Sequence, residues 1–378
     1  MKMRGCLLGL ILLGIASPLL SRSAELWKKL HQSSGGIESA VWSASGEIFV
    51  LEPSRFTRLS PDHSGANSRD LPWTQRISLS PLGRVYALIT YEGVKEELNA
   101  AELTLYSMKD EPIWSVSHHV LNDIYPLDDG AAVAVRRNIN ILENTLFFFS
   151  AKGAILRSFE LPAVREIWTS PTADRVLVNS GREGAILYTA AGEELLRCGP
   201  AYRAAFSRDG RWLAVLYGKK VTIFHNSKAT YTGEMGGEIV RGASFSPDNS
   251  RFVAFTDHAL YLLKNPGGEI LLQRLLDPDS QLSFTSADVS PESGYIVAGI
   301  ERDLGESVVG PERHPDGLIV IYRGDGVECR RDAVVYSRWN TTTPRVIFSH
   351  EGSQILVLTR DEILTASLQN LCAEGGAR

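Results

Sequence analysis

The feature that most constrains this chain is a short unit that recurs along it. Ala205-Phe206-Ser207-Arg208-Asp209-Gly210 is followed by Trp212-Leu213-Ala214-Val215: an apolar lead-in, a polar turn, then an apolar run. Units of the same form sit at Ser43, Ser80, Leu127, Ser170, Ser246, Ser290 and Ser349, giving eight anchors spaced 37 to 59 residues apart. Ser, Asp, Pro and Gly make tight turns, and β-branched or aromatic runs on either side make strands, so each anchor predicts a strand–turn–strand. After most anchors comes a second signature of alternating strand, polar turn and short strand, as in "LTLYSMKDEPIWSV" (103–116) and "LFFFSAKGAILRSF" (146–159). Beyond the first residues no long stretch shows a helical period.

Four short antiparallel strands every 40-odd residues predict an all-β fold: a single β-propeller of four-stranded blades. Eight anchors predict eight blades. Seven is the alternative, if the weak first unit is not a blade. After Ser349 the chain holds material for three strands and no fourth. Residues 25–32, "ELWKKLHQ", supply a spare, so the N-terminal strand is expected to complete the last blade and remove its open edge.

The strand-flanked "FSRDG" and "FSPDN" resemble WD40-type repeats and the TolB-type repeats of exported propellers. The resemblance spans nearly the whole chain as a repeat pattern. The Trp-Asp and Gly-His dipeptides of WD40 repeats are missing, so it bears on architecture and leaves the activity open.

The N-terminus is organised differently. Lys2 and Arg4 precede an apolar run, Cys6 to Leu20, and small residues, Ser21 and Ser23, stand at −3 and −1 of a cleavage after Ser23. This is the layout of a secretory signal peptide, so residues 1–23 are expected to be cleaved and 24–378 to form the propeller. The product would be secreted or periplasmic, with an uncleaved envelope anchor as the alternative. No later segment is apolar enough for a membrane span. Losing Lys2, Arg4 and Arg22 takes the net charge from −5 to −8, which argues against nucleic acid as a partner. Three cysteines remain. Cys329 and Cys372 are the expected disulfide pair, and Cys198 is expected to be a buried thiol. No CxxC spacing, phosphate loop, nucleophile elbow or zinc-protease motif is present, so no cofactor, metal or catalytic residue is assigned.

If strands a to d run outward from the axis, the b–c and d–a loops share one face. The long insertions 91–102 and 301–316 and the connection 335–345 all fall there. Arginines also begin the innermost strand in five units: Arg76, Arg203 and Arg345 four residues before their anchors, Arg165 and Arg241 five before. Their guanidinium groups would rim the channel mouth, suited to an acidic peptide, a carboxylate or a phosphate. The competing expectation is internal pairing with carboxylates such as Glu166, Glu238 or Asp123. Trp73 and Trp339, beside Arg76 and Arg345, add interface-like aromatics. The expected function is an exported, non-catalytic recognition scaffold for a protein partner. The alternatives are a propeller hydrolase or lactonase, or an anionic ligand binder, with the site at the channel mouth.

Overall fold

A computed structural model describes residues 26–43, 45–62, 64–72, 75–92, 99–117, 121–137, 143–181, 183–290, 294–302, 317–334, 344–349, 351–359 and 361–373. These residues form eight four-stranded antiparallel sheets, the blades of a β-propeller. Blade 1 is β2(Ser39–Trp42), β3(Ile48–Glu52), β4(Arg55–Leu59) and β5(Ala66–Asp70). Blade 2 is β6(Gln75–Leu79), β7(Val85–Glu92), β8(Asn99–Ser107) and β9(Pro112–Val116). Blade 3 is β10(Asp123–Pro126), β11(Ala132–Arg137), β12(Glu143–Phe149) and β13(Ile155–Pro162). Blade 4 is β14(Glu166–Thr169), β15(Arg175–Asn179), β16(Ala185–Thr189) and β17(Glu194–Gly199). Blade 5 is β18(Arg203–Phe206), β19(Trp212–Tyr217), β20(Lys220–His225) and β21(Lys228–Glu234). Blade 6 is β22(Gly242–Phe245), β23(Arg251–Phe255), β24(Ala259–Lys264) and β25(Ile270–Leu275). Blade 7 is β26(Leu282–Val289), β27(Ile296–Arg302), β28(Gly317–Tyr322) and β29(Glu328–Val334).

Blade 8 joins the two ends of the chain. Its order is β1-β32-β31-β30, with β30(Arg345–Phe348), β31(Gln354–Leu358) and β32(Glu362–Ser367) from the C-terminus and β1(Lys28–Gln32) from the N-terminus. Lys28 lies opposite Thr365 and Gln32 opposite Glu362. The eight-blade expectation and the closing N-terminal strand both hold. The first unit is a true blade. One element lay outside the sequence reading: a short helix, α1(Leu368–Ala373), which packs beside Leu26 and Trp27 against blades 7 and 8.

The alternation of a strand explains the core. In β7, Val85, Ala87 and Ile89 turn toward blade 3, while Tyr86 and Leu88 turn toward blade 1. Both faces of the sheet are therefore apolar and each seals one neighbour. Among the described residues, the buried apolar side chains fall into eight clusters, one at each blade–blade interface. A fully buried side chain such as Phe148 or Leu356 contributes roughly 1.5–3 kcal/mol. The ring is held by the sum of its interfaces.

The anchor serines are turn devices. Ser80, Ser207, Ser246 and Ser349 are buried, and each Oγ accepts the N–H that opens the next strand, from Val85, Trp212, Arg251 and Gln354. The residue after the turn needs a left-handed backbone. Gly210 has φ +68°, and a Cβ there would lie 2.0 Å from Thr172 Oγ1 of blade 4, so glycine is required on two counts.

Candidate functional site

The d–a and b–c loops project to one side of the ring, here called the upper face. Its mouth is lined by residues that open the inner strands. Arg76, Asp123, Glu166, Arg203 and Arg345 begin or nearly begin β6, β10, β14, β18 and β30. Arg165 and Arg241 immediately precede β14 and β22. All five arginines therefore stand where the repeat alignment put them.

The mouth is not uniformly positive, because carboxylates stand among the cations. Arg203 Nη1 meets Glu166 Oε1 of the preceding blade at 2.5 Å. Arg76 Nη1 lies 3.8 Å from Asp123 Oδ1 of the following blade, and Asp123 is held by Arg137 at 2.7 Å. Arg241 grips Asp257 with two hydrogen bonds of 2.8 Å, and this pairing raises the guanidinium's affinity for its proton. Glu166 and Asp123 are pairing partners the sequence suggested. For Arg241 the partner is Asp257, and Glu238 is engaged elsewhere. Arg165 and Arg345 are exposed and make no ion pair with any described residue. Arg76, Arg203 and Arg241 are each more than half exposed, so their pairs contribute little to stability and leave donors open to solvent.

Glu238 organises a second cluster on the upper face of blade 6. It accepts hydrogen bonds from Thr256 Oγ1 at 2.5 Å, from His258 N–H at 3.1 Å and from His258 Nδ1 at 2.8 Å. The Thr256 bond, with help from His258, holds its carboxyl below the ordinary glutamate range. His258 is thereby oriented, with Arg241 and Asp257 alongside. The sequence alone does not bring Glu238 and His258 together, since they belong to different loops.

Cavities lined by described residues lie on both faces of the ring. The upper one, about 630 Å³, is bounded by blades 1 to 3 and includes Glu38, Gln75, Arg76, Asn122, Asp123 and Tyr125. The lower one, about 430 Å³, is set among the a–b turns and includes Arg84, Asp128, Thr172 and Arg208.

Between them, the inner strands of blades 6 to 8 are stitched together through Asp288. Its Oδ1 accepts from Ser244 Oγ of blade 6 at 2.7 Å, and its Oδ2 from Phe348 N–H of blade 8 at 2.9 Å. Ser286 serves the same edge, accepting from Val346 N–H at 3.1 Å and donating to Pro344 O at 2.6 Å. Burial raises the pKa of Asp288, opposed by these hydrogen bonds. The exposed edge of β30 is satisfied by side chains of its neighbour, which makes Asp288 a structural carboxylate.

Several expected features lie outside the described residues: Trp73, Trp339 with residues 335–343 of its connection, residues 93–98 and 303–316 of the insertions, and the signal segment 1–23. Cys329 in β29 and Cys372 in α1 are free thiols that both pack against the apolar cluster between blades 7 and 8. Burial raises both, Cys372 to about 12. Cys198 is a half-buried thiol, also pushed up to about 12 by burial. Among the described residues no three His, Cys, Asp or Glu side chains converge to hold a metal, and no helix is long and apolar enough to cross a membrane.

No family model and no curated protein matches this sequence. Solved structures do match the fold. The C-terminal WD40 domain of Sif2 aligns with a TM-score of 0.59 at 12% identity, over 90% of this chain and 98% of that domain. The Dos1 propeller aligns at 0.58 and 11%, over 90% and 94%. The computationally designed Ika8 protein aligns at 0.60 and 11%, over 90% and 100%. Identities this low speak for the fold alone. In fold, the chain is a WD40-like β-propeller.

Proposed function

We propose that this WD40-like propeller is an exported, non-catalytic recognition module that holds a protein partner on its upper face. One observation carries the reading. Exposed arginines gather at that mouth from five blades, and two of them, Arg165 and Arg345, have no carboxylate partner among the described residues. Arginine is the side chain best suited to bidentate capture of carboxylates, and it is over-represented at the energetic centres of interfaces. A propeller scaffold leaves such groups on rigid strand ends, so little ordering cost is added on binding. Export rests on the N-terminal layout, with cleavage after Ser23.

The test is affinity capture of partners from the native envelope by the mature protein, with Arg203, Arg241 and Arg345 intact or all changed to Glu. The reading predicts loss of specific partners in the triple variant, with folding retained. Undiminished capture would sink it.

The oriented pair Glu238–His258 beside Arg241 favours a second reading, a hydrolytic site at the same mouth. A carboxylate-held imidazole is the usual form of a general base. Turnover of an ester or lactone by the mature protein, abolished by His258→Ala, would establish it. Partner capture without turnover would leave the recognition reading standing.

A further inference from the structure

We infer that the upper face of blade 5 carries an anchor surface for an acidic peptide segment of the partner, built on Tyr202 and Tyr217. This rests on the recognition reading above and deepens it by naming the partner's chemistry.

Across the eight blades, the position five residues before the anchor holds Glu38, Gln75, Asn122, Arg165, Tyr202, Arg241, Thr285 and Pro344. Blade 5 alone places an aromatic there. Tyr202 is 50% exposed and Tyr217, at the end of β19, is 43% exposed. The other described tyrosines are buried or half-buried. The two rings lie 4.9 Å apart at 32°, and neither hydroxyl bonds to a described residue. Ile239, 47% exposed, lies in the loop that leads to β22. Its loop is clamped to the β19–β20 turn by Val240 N–H to Gly218 O at 2.8 Å and Met235 N–H to Lys219 O at 2.9 Å.

Two adjacent tyrosines facing water just before β18 and at the end of β19, with the exposed Ile239 in the loop clamped to the adjoining turn, offer apolar surface with polar handles. Large exposed apolar groups that cluster mark contact sites. Tyrosine supplies contact area at low entropic cost. Most of the other exposed large apolar side chains among the described residues, such as Ile155, Leu156 and Ile270, sit on outermost strands.

Charge selects the occupant. Arg203 and Arg241 are already neutralised by Glu166 and Asp257. Lys220 and Glu234 stand opposite each other across β20 and β21. Arg165, at the matching position of blade 4, and Lys219, two residues after Tyr217, are both exposed and without an ion pair among the described residues, as is Arg345 farther round the mouth. The segment that fits lays a proline or aromatic ring over the tyrosine pair. It sets carboxylates beside that ring, where Arg165, Lys219 and the two phenol hydroxyls can all donate to them.

The probe is a random peptide library displayed on phage, selected against the full mature protein and, in parallel, against Tyr202→Ser/Tyr217→Ser. Both positions are exposed, so the variant's denaturation midpoint should match the native one. Enriched peptides should pair Asp or Glu with Pro or an aromatic, and enrichment should fall about tenfold or more on the double variant. Lys219→Glu alone, on an exposed turn, should shift selection away from acidic peptides. Peptides that survive the tyrosine changes, basic peptides, or no enrichment over the variant would each overturn the inference. Peptides that ignore the tyrosines but need Arg345 and Arg76 would overturn it while leaving the recognition reading intact.

Discussion

Residues at the mouth divide into those that bind and those that hold the ring, and energy separates them. The Arg203–Glu166 pair joins two blades, but both side chains are solvated. Exposed pairs of this kind contribute at most about 1 kcal/mol. Arg203→Glu should therefore shift the urea midpoint little while weakening partner capture. Asp288 is the reverse case. A carboxamide at 288 has one acceptor oxygen and a donating NH2 in place of the second oxygen, so it cannot accept from both Ser244 and Phe348 through separate oxygens as the carboxylate does. Asp288→Asn should cost about 1–3 kcal/mol in unfolding free energy. The pH dependence has a definite sign. A carboxyl raised in the folded state adds stability below its unfolded value of about 3.9, and loses it as pH rises through the folded value. Native protein should thus show a falling contribution across that window, which the Asn variant lacks when the two midpoints are compared pH by pH. The sequence hid this residue. Its repeat position holds Ser244 in blade 6 and Ile347 in blade 8, and nothing local announces that it spans three blades.

At the scale of elements, the strands were legible and their side-chain traffic was not. Turn chemistry and alternation located every blade, including the weak first one, because a strand–turn–strand is specified within a dozen or so residues. Which blade neighbours an arginine or histidine depends on closure of the ring. Arg76 pairs forward to blade 3 and Arg203 backward to blade 4 for reasons no single repeat contains. Comparing repeats highlights what they share, and Tyr202 is what blade 5 does not share. Two elements yield predictions. Starting the chain after Gln32 removes β1 and leaves β32 as a bare edge, along with the packing of Leu30 against blades 1 and 8. The truncated protein should unfold at lower temperature and aggregate, as light scattering during a thermal ramp would show. The second concerns β29 and α1. We propose that Cys329 and Cys372, already side by side, form a disulfide in an oxidising compartment. The two thiols would pass two electrons and two protons to a disulfide such as oxidised glutathione. With both thiols raised by burial, coupling should be slow at neutral pH and faster in alkali. Peptide mapping without reduction would reveal the linked pair. If it forms, the closed loop should stabilise by on the order of 4 kcal/mol at most.

The whole molecule is a ring with one busy face. The a–b turns below are short and near-identical, while the upper face gathers the arginines, the Glu238–His258 cluster and the exposed tyrosines. A propeller separates its tasks in this way because blade interfaces fix the strands and leave strand ends free to vary. The most direct measurement of the central claim is hydrogen exchange on the mature protein with and without its captured partner. Slowed exchange should map to the upper-face segments around Arg165, Tyr202–Arg203, Tyr217–Lys219, Ile239–Arg241 and Arg345. Slowing confined to the lower a–b turns around Arg84, Asp128 and Arg208, with those upper segments unchanged, would contradict it.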